Sequence, residues 1–179
     1  TTPGSAIDLG GIAKGYIADQ MKAYLNSQGI TSGLIDLGGN ILALGPKEHQ
    51  DTASYTIGIQ KPFADDGDPI AAIEVTDQSV VTSGIYQRYF ESDGVLYHHI
   101  LDTATGYPCD NGLASVTIIN NSSVDGDALS TTCFAMGLSD GLAFAESLPD
   151  TEAIFITTDG ELHCTSGIGT AIPFLDLSS

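Results

Sequence analysis

Short runs rich in apolar residues dominate this chain, and glycine, proline or Asp-Gly pairs bound many of them. This pattern predicts β-strands. Two pairs of runs flank Ser92-Asp93-Gly94 and Asp159-Gly160, which are sequence signals for hairpins. The predicted strands cover residues 6–9, 33–45 with a break at Gly38-Gly39, 55–60, 70–76, 80–82, 86–90, 95–101, 116–120, 153–158 and 162–165.

Three segments show helical spacing instead. After Gly10-Gly11, apolar residues recur at intervals of three and four from Ile12 to Leu25, and Gly29 is the expected stop. Lys14, Asp19 and Lys22 lie on other faces of this predicted helix. A second helix is predicted to begin near Asp127 and to end at Gly137, and a third covers residues 141–147. Strands outnumber helices, so we predict a single α+β domain with a largely antiparallel or mixed sheet and flanking helices.

The charge restricts the ligands that the chain can bind. Five Lys and Arg residues against 23 Asp and Glu give a formal net charge of −18. Nucleic acid and anionic membrane surfaces are therefore excluded as partners, because both need clustered cations. No apolar run reaches the length of a membrane span, which is about 18 residues. A phosphate-bearing ligand would need a bound metal and backbone N–H groups to neutralise most of its charge.

Asp127 and Thr131 are the first candidates for such a metal site. They are four residues apart in the predicted second helix and therefore share one face of it. A carboxylate and a hydroxyl beside a positive helix end are suited to Mg²⁺ and the anion it carries. The alternative is that Asp127 is only the N-cap and that the hydroxyls bond the backbone.

Three glycine-containing turns could also contact a ligand. Asp8-Leu9-Gly10-Gly11 leads into a helix that places Lys14 in its first turn, where a nearby anion would offset the unfavourable helix dipole. The alternative is an ordinary strand–helix turn. Thr82-Ser83-Gly84 ends a strand and is either a phosphate contact or a plain turn. Asp36 lies in an apolar strand, where a buried carboxylate needs partners, and we expect its role to be structural.

His98 and His99 lie at the end of a strand, so alternation predicts that only one of them enters a given pocket. That histidine is either a general base or a structural residue. No nucleophile elbow accompanies them, which argues against a hydrolase triad. The three cysteines allow either one disulfide with a free thiol or three reduced thiols, and Cys133 is expected in the core.

The motifs occur together in one order: Asp8-Leu9-Gly10-Gly11-Ile12-Ala13-Lys14-Gly15, Asp36-Leu37-Gly38-Gly39-Asn40, Thr82-Ser83-Gly84, His99-Ile100-Leu101-Asp102 with Thr105-Gly106-Tyr107-Pro108, and Asp127-Ala128-Leu129-Ser130-Thr131. In this combination, from residue 4 to about residue 175, the chain resembles the ApbE family of FAD:protein FMN transferases. The resemblance implies an ApbE-like, T-fold-related α+β fold. It also implies that residues 1–179 are the C-terminal part of a longer enzyme whose N-terminal segment precedes Thr1.

The resemblance also assigns roles to residues. It implies Mg²⁺ held by the Asp127 carboxylate, the Thr131 hydroxyl and the Gly11 carbonyl. His99 corresponds to the histidine proposed to deprotonate the acceptor, which makes His99 and Asp127 the catalytic candidates. The implied FAD contacts are Asp8, Lys14, Leu101 and, near the phosphates, Ser83 and Gly84.

The implied reaction transfers the FMN half of FAD to a threonine hydroxyl of a target protein and releases AMP, with Mg²⁺ as cofactor. The partners are thus FAD and an acceptor protein, such as a redox-pump subunit. Family habit further implies a location outside the cytoplasm, at the periplasm or cell surface, where members are often lipoproteins. Two alternatives stay open: an FAD pyrophosphatase that gives FMN and AMP, and a non-catalytic flavin-binding module or acidic surface domain.

Overall fold

The computed structural model describes residues 2–48, 53–65 and 67–178. Helices and strands follow one another in no regular order along these ranges. The helices are α1 (Ala13–Ser27), α2 (Ser123–Met136) and α3 (Leu138–Ser147). The strands are β1 (Gly33–Asp36), β2 (Asn40–Leu44), β3 (Tyr55–Gln60), β4 (Pro69–Val75), β5 (Ser79–Gly84), β6 (Tyr89–Ser92), β7 (Val95–His98), β8 (Leu113–Asn120), β9 (Glu152–Thr157), β10 (Leu162–Cys164) and β11 (Phe174–Asp176).

The strands form three sheets. The largest has the order β1-β2-β5-β8-β9-β10, a second has the order β11-β4-β3, and β6 pairs with β7 alone. Every pairing between these strands is antiparallel. The predicted α+β class with a largely antiparallel sheet is therefore confirmed.

Two apolar cores lie on opposite faces of the six-stranded sheet. On one face, Ile119 and Ile154 pack with Ile57 and Ile73 of the three-stranded sheet. On the other face, side chains such as Phe155 pack with Phe134 of α2, and α3 covers β9. Alternation along the strands produces this arrangement, because successive side chains point to opposite faces. The result is a layer of helices, a central sheet and a smaller sheet.

At the predicted break between β1 and β2, glycines in the left-handed backbone conformation form the turn. Gly38 and Gly39 have φ values of 66° and 85°, which suit glycine, and they separate β1 from β2. The Asp36 side chain accepts hydrogen bonds from both of their N–H groups, at 3.0 and 3.3 Å. Asp36 is thus structural, as predicted. The expectation that it is buried was wrong, since it is exposed at the end of β1.

Several predicted boundaries were wrong. Residues 6–9 form no strand, because their side chains are exposed and no described strand pairs with them. The hairpin strand predicted from residue 86 begins at Tyr89, and the one predicted to reach residue 101 ends at His98. Helix α2 begins at Ser123, before Asp127. Strand β11 was not predicted, and its pairing with β4 is a contact between distant segments.

The cysteines are free thiols, and Cys133 is fully buried as predicted. Burial raises the pKa of the Cys133 and Cys164 thiols to about 11. These two thiols are therefore poor nucleophiles at neutral pH. Among the described residues, no helix combines the length and the apolar character that crossing a membrane requires.

Candidate functional site

A cleft of about 910 Å³ brings the predicted site residues together. It lies between the start of α1, the end of β5, one face of α2 and the segment that follows β7. Its lining contains all the candidates except Gly84, namely Asp8, Gly11, Lys14, Ser83, His99, Leu101, Asp127 and Thr131. Residues from four separate stretches of sequence thus meet in one place, and the volume is within the range of small-molecule sites.

Asp127 is one turn inside α2, and it is not the N-cap. The N-cap is Ser122, whose side chain accepts from the Asp125 N–H. The Asp127 side chain is 5% exposed, and its Oδ2 accepts a hydrogen bond of 2.9 Å from the Gly15 N–H of α1. The N-cap alternative is therefore wrong. The carboxylate instead joins α1 to α2 at the wall of the cleft.

Two features of α1 hold α2 in this position. A Cβ atom on Gly15 would lie 2.2 Å from the Ser123 carbonyl oxygen, so the two helices can approach only because residue 15 is glycine. The Asp19 carboxylate accepts from the Ser123 and Val124 N–H groups at 3.0 and 2.9 Å. It satisfies two N–H groups of the first turn of α2, which would otherwise need other partners. Asp19 was expected on a polar face of α1, and its partner could not be read from that pattern.

A cluster of hydroxyl groups fixes Thr131. The Ser83 Oγ lies 2.8 Å from the Ser130 Oγ and 3.0 Å from the Thr131 Oγ1. Ser83 is therefore a neighbour of the candidate metal ligand Thr131 as well as a lining residue. Gly84 is different, because it is buried and does not line the cleft. A Cβ there would lie 2.8 Å from the Tyr86 ring, so Gly84 serves packing.

The segment before α1 forms a turn at the mouth of the cleft. The Asp8 Oδ1 accepts a hydrogen bond of 2.6 Å from the Gly10 N–H. Helix α1 then begins after Ile12, whose side chain makes no capping hydrogen bond, and within the first turn the Gly15 N–H donates to Asp127. An uncapped helix start offers N–H donors to an anion. The Lys14 Nζ lies 3.3 Å from the Gly38 carbonyl oxygen, which places this cation between α1 and the β1–β2 turn.

As predicted, only one of the two neighbouring histidines lines the cleft. His98 is buried: its Nδ1 accepts from the Ile100 N–H at 3.3 Å, so its Nε2–H donates to the Cys109 carbonyl at 3.0 Å. Burial lowers the pKa of His98. His99 lines the cleft, and its Nδ1 lies 3.2 Å from the Arg88 carbonyl. Because a carbonyl only accepts, Nδ1 carries the proton and Nε2 is the acceptor of the neutral ring.

The sequence analysis missed Arg88, although it lines the cleft beside Lys14. Only five Lys and Arg residues occur in the chain, and two of them are here. Their rarity was the signal that could have identified Arg88. A second depression of about 780 Å³ shares the wall formed by Lys14, Thr82, Gln87 and Arg88, so the space for a ligand extends beyond the cleft itself.

The fold and the cleft define an α+β protein with a site for an anionic ligand, lined by hard oxygen atoms and by scarce cations. The family model described as the ApbE family matches residues 1–155. The chain belongs to the ApbE family, and the resemblance found in its motifs is confirmed.

Relatives with curated names agree with this assignment. The chain is 47% identical over 164 residues to the FAD:protein FMN transferase of Klebsiella pneumoniae, which covers 92% of this chain and 49% of that protein. It is 41% identical over 180 residues to the FAD:protein FMN transferase of Treponema pallidum, with 97% and 49% covered. The chain thus spans about half the length of the curated relatives it matches.

Solved structures share the fold. An ApbE protein from Thermotoga maritima superposes with a TM-score of 0.82 at 38% identity, covering 92% of this chain and 52% of that one. The flavin transferase ApbE from Vibrio cholerae gives a TM-score of 0.75 at 35% identity, with 89% and 50% covered. The antiparallel α+β architecture is therefore one that members of this family adopt.

Proposed function

We propose that this chain provides the catalytic cleft of an enzyme that transfers the FMN half of FAD to a threonine hydroxyl of another protein and releases AMP. The hydrogen bond from the Gly15 N–H to Asp127 carries the proposal. This bond brings the glycine turn before α1 and the Asp127–Thr131 face of α2 into one cleft, which His99 also lines. The names of the curated relatives, FAD:protein FMN transferases, support transfer of FMN from FAD to a protein.

The charge of the cleft supports a phosphate-bearing substrate. The chain as a whole carries −18, which would repel a pyrophosphate. Within the cleft, however, Lys14 and Arg88 balance the carboxylates of Asp8 and Asp127. The start of α1, where Ile12 provides no side-chain cap, adds N–H donors beside these cations. An anion entering the cleft therefore avoids the repulsion that the rest of the surface exerts.

The donors in the cleft suit Mg²⁺. Asp127 offers a carboxylate with one oxygen engaged by Gly15, Thr131 offers a hydroxyl, and Gly11 offers a backbone carbonyl at the same cleft. These are hard oxygen ligands of the kind that Mg²⁺ prefers. No group of three His, Cys, Asp or Glu side chains that could hold a metal occurs within the described ranges, so the proposed site relies on one carboxylate together with hydroxyl and carbonyl oxygens. Bound Mg²⁺ would stabilise charge that develops on the pyrophosphate.

His99 is the residue we propose as general base. With Nδ1–H donating to the Arg88 carbonyl, its Nε2 can accept the proton of the acceptor threonine. The threonine oxygen then forms a bond to the FMN phosphorus, and the bond from that phosphorus to the bridging pyrophosphate oxygen breaks. AMP leaves with the electrons of the broken bond. Lys14 and Arg88 would hold the phosphates during this step.

The first test follows AMP released from FAD by chromatography, with Mg²⁺ and with EDTA. Asp127→Asn removes the charge of the proposed ligand and keeps a carbonyl that can accept from Gly15, so the fold should persist. We expect EDTA or Asp127→Asn to abolish AMP release, as would Asp127→Ala. Asp125→Asn, two residues away and exposed, is the matched control and should retain activity. Full activity of Asp127→Asn would refute the metal assignment.

The products separate the reaction classes. Flavin fluorescence that stays with an acceptor protein through denaturing electrophoresis indicates transfer, whereas free FMN without labelled protein indicates a pyrophosphatase. FAD binding without any AMP indicates a binding module.

His99→Ala should slow transfer and leave FAD affinity largely unchanged, because we assign it a proton and not a substrate contact. His163→Ala is its control, since His163 lies on β10 and does not line the cleft. A large loss of FAD affinity in His99→Ala would instead make His99 a binding residue.

We also propose that the protein acts outside the cytoplasm. The proposal rests on the family resemblance, and fractionation of cells that carry the native gene tests it. Recovery of the protein only in the cytoplasmic fraction would contradict it.

A further inference from the structure

Phe63 is held in a backbone conformation that bulky side chains disfavour. It lies between β3 and β4 with a φ of 59°, in the left-handed region. The other non-glycine residues with positive φ among those described are aspartates, which tolerate this region better. Such a conformation costs free energy, persists only where the surroundings fix it, and is found disproportionately at ligand sites. The Phe63 ring is 54% exposed, so its burial does not explain the strain.

The Gln60 side chain fixes the loop that carries Phe63. Its Nε2 donates to the Asp65 carbonyl at 2.9 Å, and its Oε1 accepts from the Gly67 N–H at 3.2 Å. One side chain at the end of β3 therefore bonds the backbone on the far side of Phe63. These bonds hold the loop in place in the absence of any ligand.

The Phe63 ring belongs to an aromatic cluster at the depression of about 780 Å³ described above. It packs edge-on against Tyr86 and Tyr89, with ring centroids 5.9 and 6.2 Å apart. All three rings line the depression, which we call the aromatic depression. Both larger sheets contribute apolar side chains to its lining, namely Ile41, Ile57, Ile59 and Val80.

The aromatic depression borders the catalytic cleft directly. Lys14, Thr82, Gln87 and Arg88 line both spaces. Two of these four residues are the cations that we propose as phosphate contacts. A ligand whose phosphates contact Lys14 and Arg88 from the cleft therefore lies at the border of the depression.

We propose that the aromatic depression binds one ring system of the substrate, while the phosphates lie at Lys14 and Arg88. This inference rests on the proposed transfer from FAD. FAD carries a planar heteroaromatic ring system at each end, the flavin and the adenine, with the pyrophosphate between them. A ring attached on one side of a pyrophosphate held at this border would reach the depression.

The chemistry of the depression matches such a ring, which has apolar faces and a polar edge. Aromatic side chains and apolar walls provide surfaces on which planar rings stack. The exposed Gln87 side chain can offer amide donors and acceptors to the ring edge. Mainly apolar walls with a few polar groups are typical of small-molecule sites. The strained backbone at Phe63 thus places an aromatic ring where stacking requires one.

The test measures binding of FAD, FMN, AMP and inorganic pyrophosphate by calorimetry in the presence of Mg²⁺. Phe63→Asn removes the ring, and because asparagine suits a left-handed φ, the loop should keep its conformation. Phe63→Tyr retains a ring. Phe90→Asn is the matched control, since Phe90 is 63% exposed and lines neither the depression nor the cleft.

We expect Phe63→Asn to raise the Kd for FAD about tenfold, because it removes one stacking partner. The affinity for pyrophosphate, which has no ring, should not change. A matching loss of affinity for FMN assigns the flavin to the depression, whereas a loss for AMP assigns the adenine. Phe63→Tyr and Phe90→Asn should bind all four ligands as the unmodified chain does.

Unchanged affinity of Phe63→Asn for FAD, FMN and AMP would overturn the ring site, and continued AMP release from FAD would leave the proposed function standing. Equal weakening of pyrophosphate binding would also overturn it, because the loop would then act on the phosphate contacts. An unmodified chain that neither binds FAD nor releases AMP would refute the proposed function, and the ring site with it.

Discussion

Replacing Gly15 with alanine tests how α1 and α2 assemble the cleft. The added Cβ would lie 2.2 Å from the Ser123 carbonyl oxygen and 2.7 Å from the Val124 Cα. Both are backbone atoms, so no side-chain rotation can relieve the overlap. The helices must separate by about 1 Å to restore an ordinary contact of 3.4 Å. The same movement stretches the hydrogen bond of 2.9 Å from the Gly15 N–H to Asp127.

Opposing effects determine how much Gly15→Ala changes the free energy of unfolding. Alanine favours a helix interior over glycine by about 1 kcal/mol. Overpacking costs about 1–3 kcal/mol, and weakening a buried hydrogen bond adds about 1 kcal/mol. We therefore expect Gly15→Ala to lower the free energy of unfolding by about 2 kcal/mol, which corresponds to a fall in Tm of about 4–8 °C for a domain of this size.

Urea unfolding followed by far-UV circular dichroism measures this change, since the chain contains no tryptophan for fluorescence. Gln20→Ala, at an exposed position of α1, is the control and should change stability by less than about 0.5 kcal/mol. Mg²⁺-dependent FAD turnover should fall in Gly15→Ala alone, because Asp127 moves with α2. A Gly15→Ala protein as stable as the unmodified chain would refute the close-packing argument.

Three further changes probe other parts of the site. Asp19→Ala removes the cap that α1 provides for α2, so the free energy of unfolding should fall by about 1–2 kcal/mol in urea titrations; an unchanged value would show that water replaces the cap. Ser83→Ala breaks the hydroxyl cluster around Thr131, and Mg²⁺ affinity measured by calorimetry should weaken, whereas unchanged affinity would separate Ser83 from the metal site. Burial lowers the pKa of His98 below its ordinary 6.5, so the folded state binds fewer protons than the unfolded chain and stability should fall as pH drops below about 6.5. His98→Gln should flatten this dependence in unfolding curves at several pH values, and an unchanged slope would assign it to other groups.

The lowered pKa of His98 has a clear structural origin. Burial is the main cause, and the neutral ring is also fully bonded, because Nδ1 accepts from the Ile100 N–H while Nε2–H donates to Cys109. A second proton, on Nδ1, would face an N–H donor. His99, one residue later, lies at the cleft with the opposite arrangement of its nitrogens. Two adjacent residues of one type thus serve packing and, as we propose, chemistry.

Local sequence was enough to predict the elements whose cause is local. Gly38-Gly39 and Asp93-Gly94 adopt left-handed backbone, so the strand break at Gly38-Gly39 and the hairpin at Asp93-Gly94 were predicted. The spacing of apolar residues predicted α1, and Gly29 ends it. Alternation at the end of β7 predicted that only one of His98 and His99 would reach a pocket. The order of the motifs was sufficient to predict the family.

Only the tertiary structure determined which of these residues meet. Gly15 contacts Asp127, 112 positions away, and Asp19 caps the start of α2 across a similar separation. The roles of Gly15 and Asp19 depend on contacts with distant residues, and the local spacing of apolar and polar residues does not specify those contacts. Asp19 and an ordinary solvent-facing aspartate have the same local pattern. Residues 6–9, which are apolar except for Asp8, likewise resemble a strand but have no described neighbour to pair with. The sequence by itself therefore determined the turns, most helices and strands and the family, whereas packing between distant segments determined the cleft.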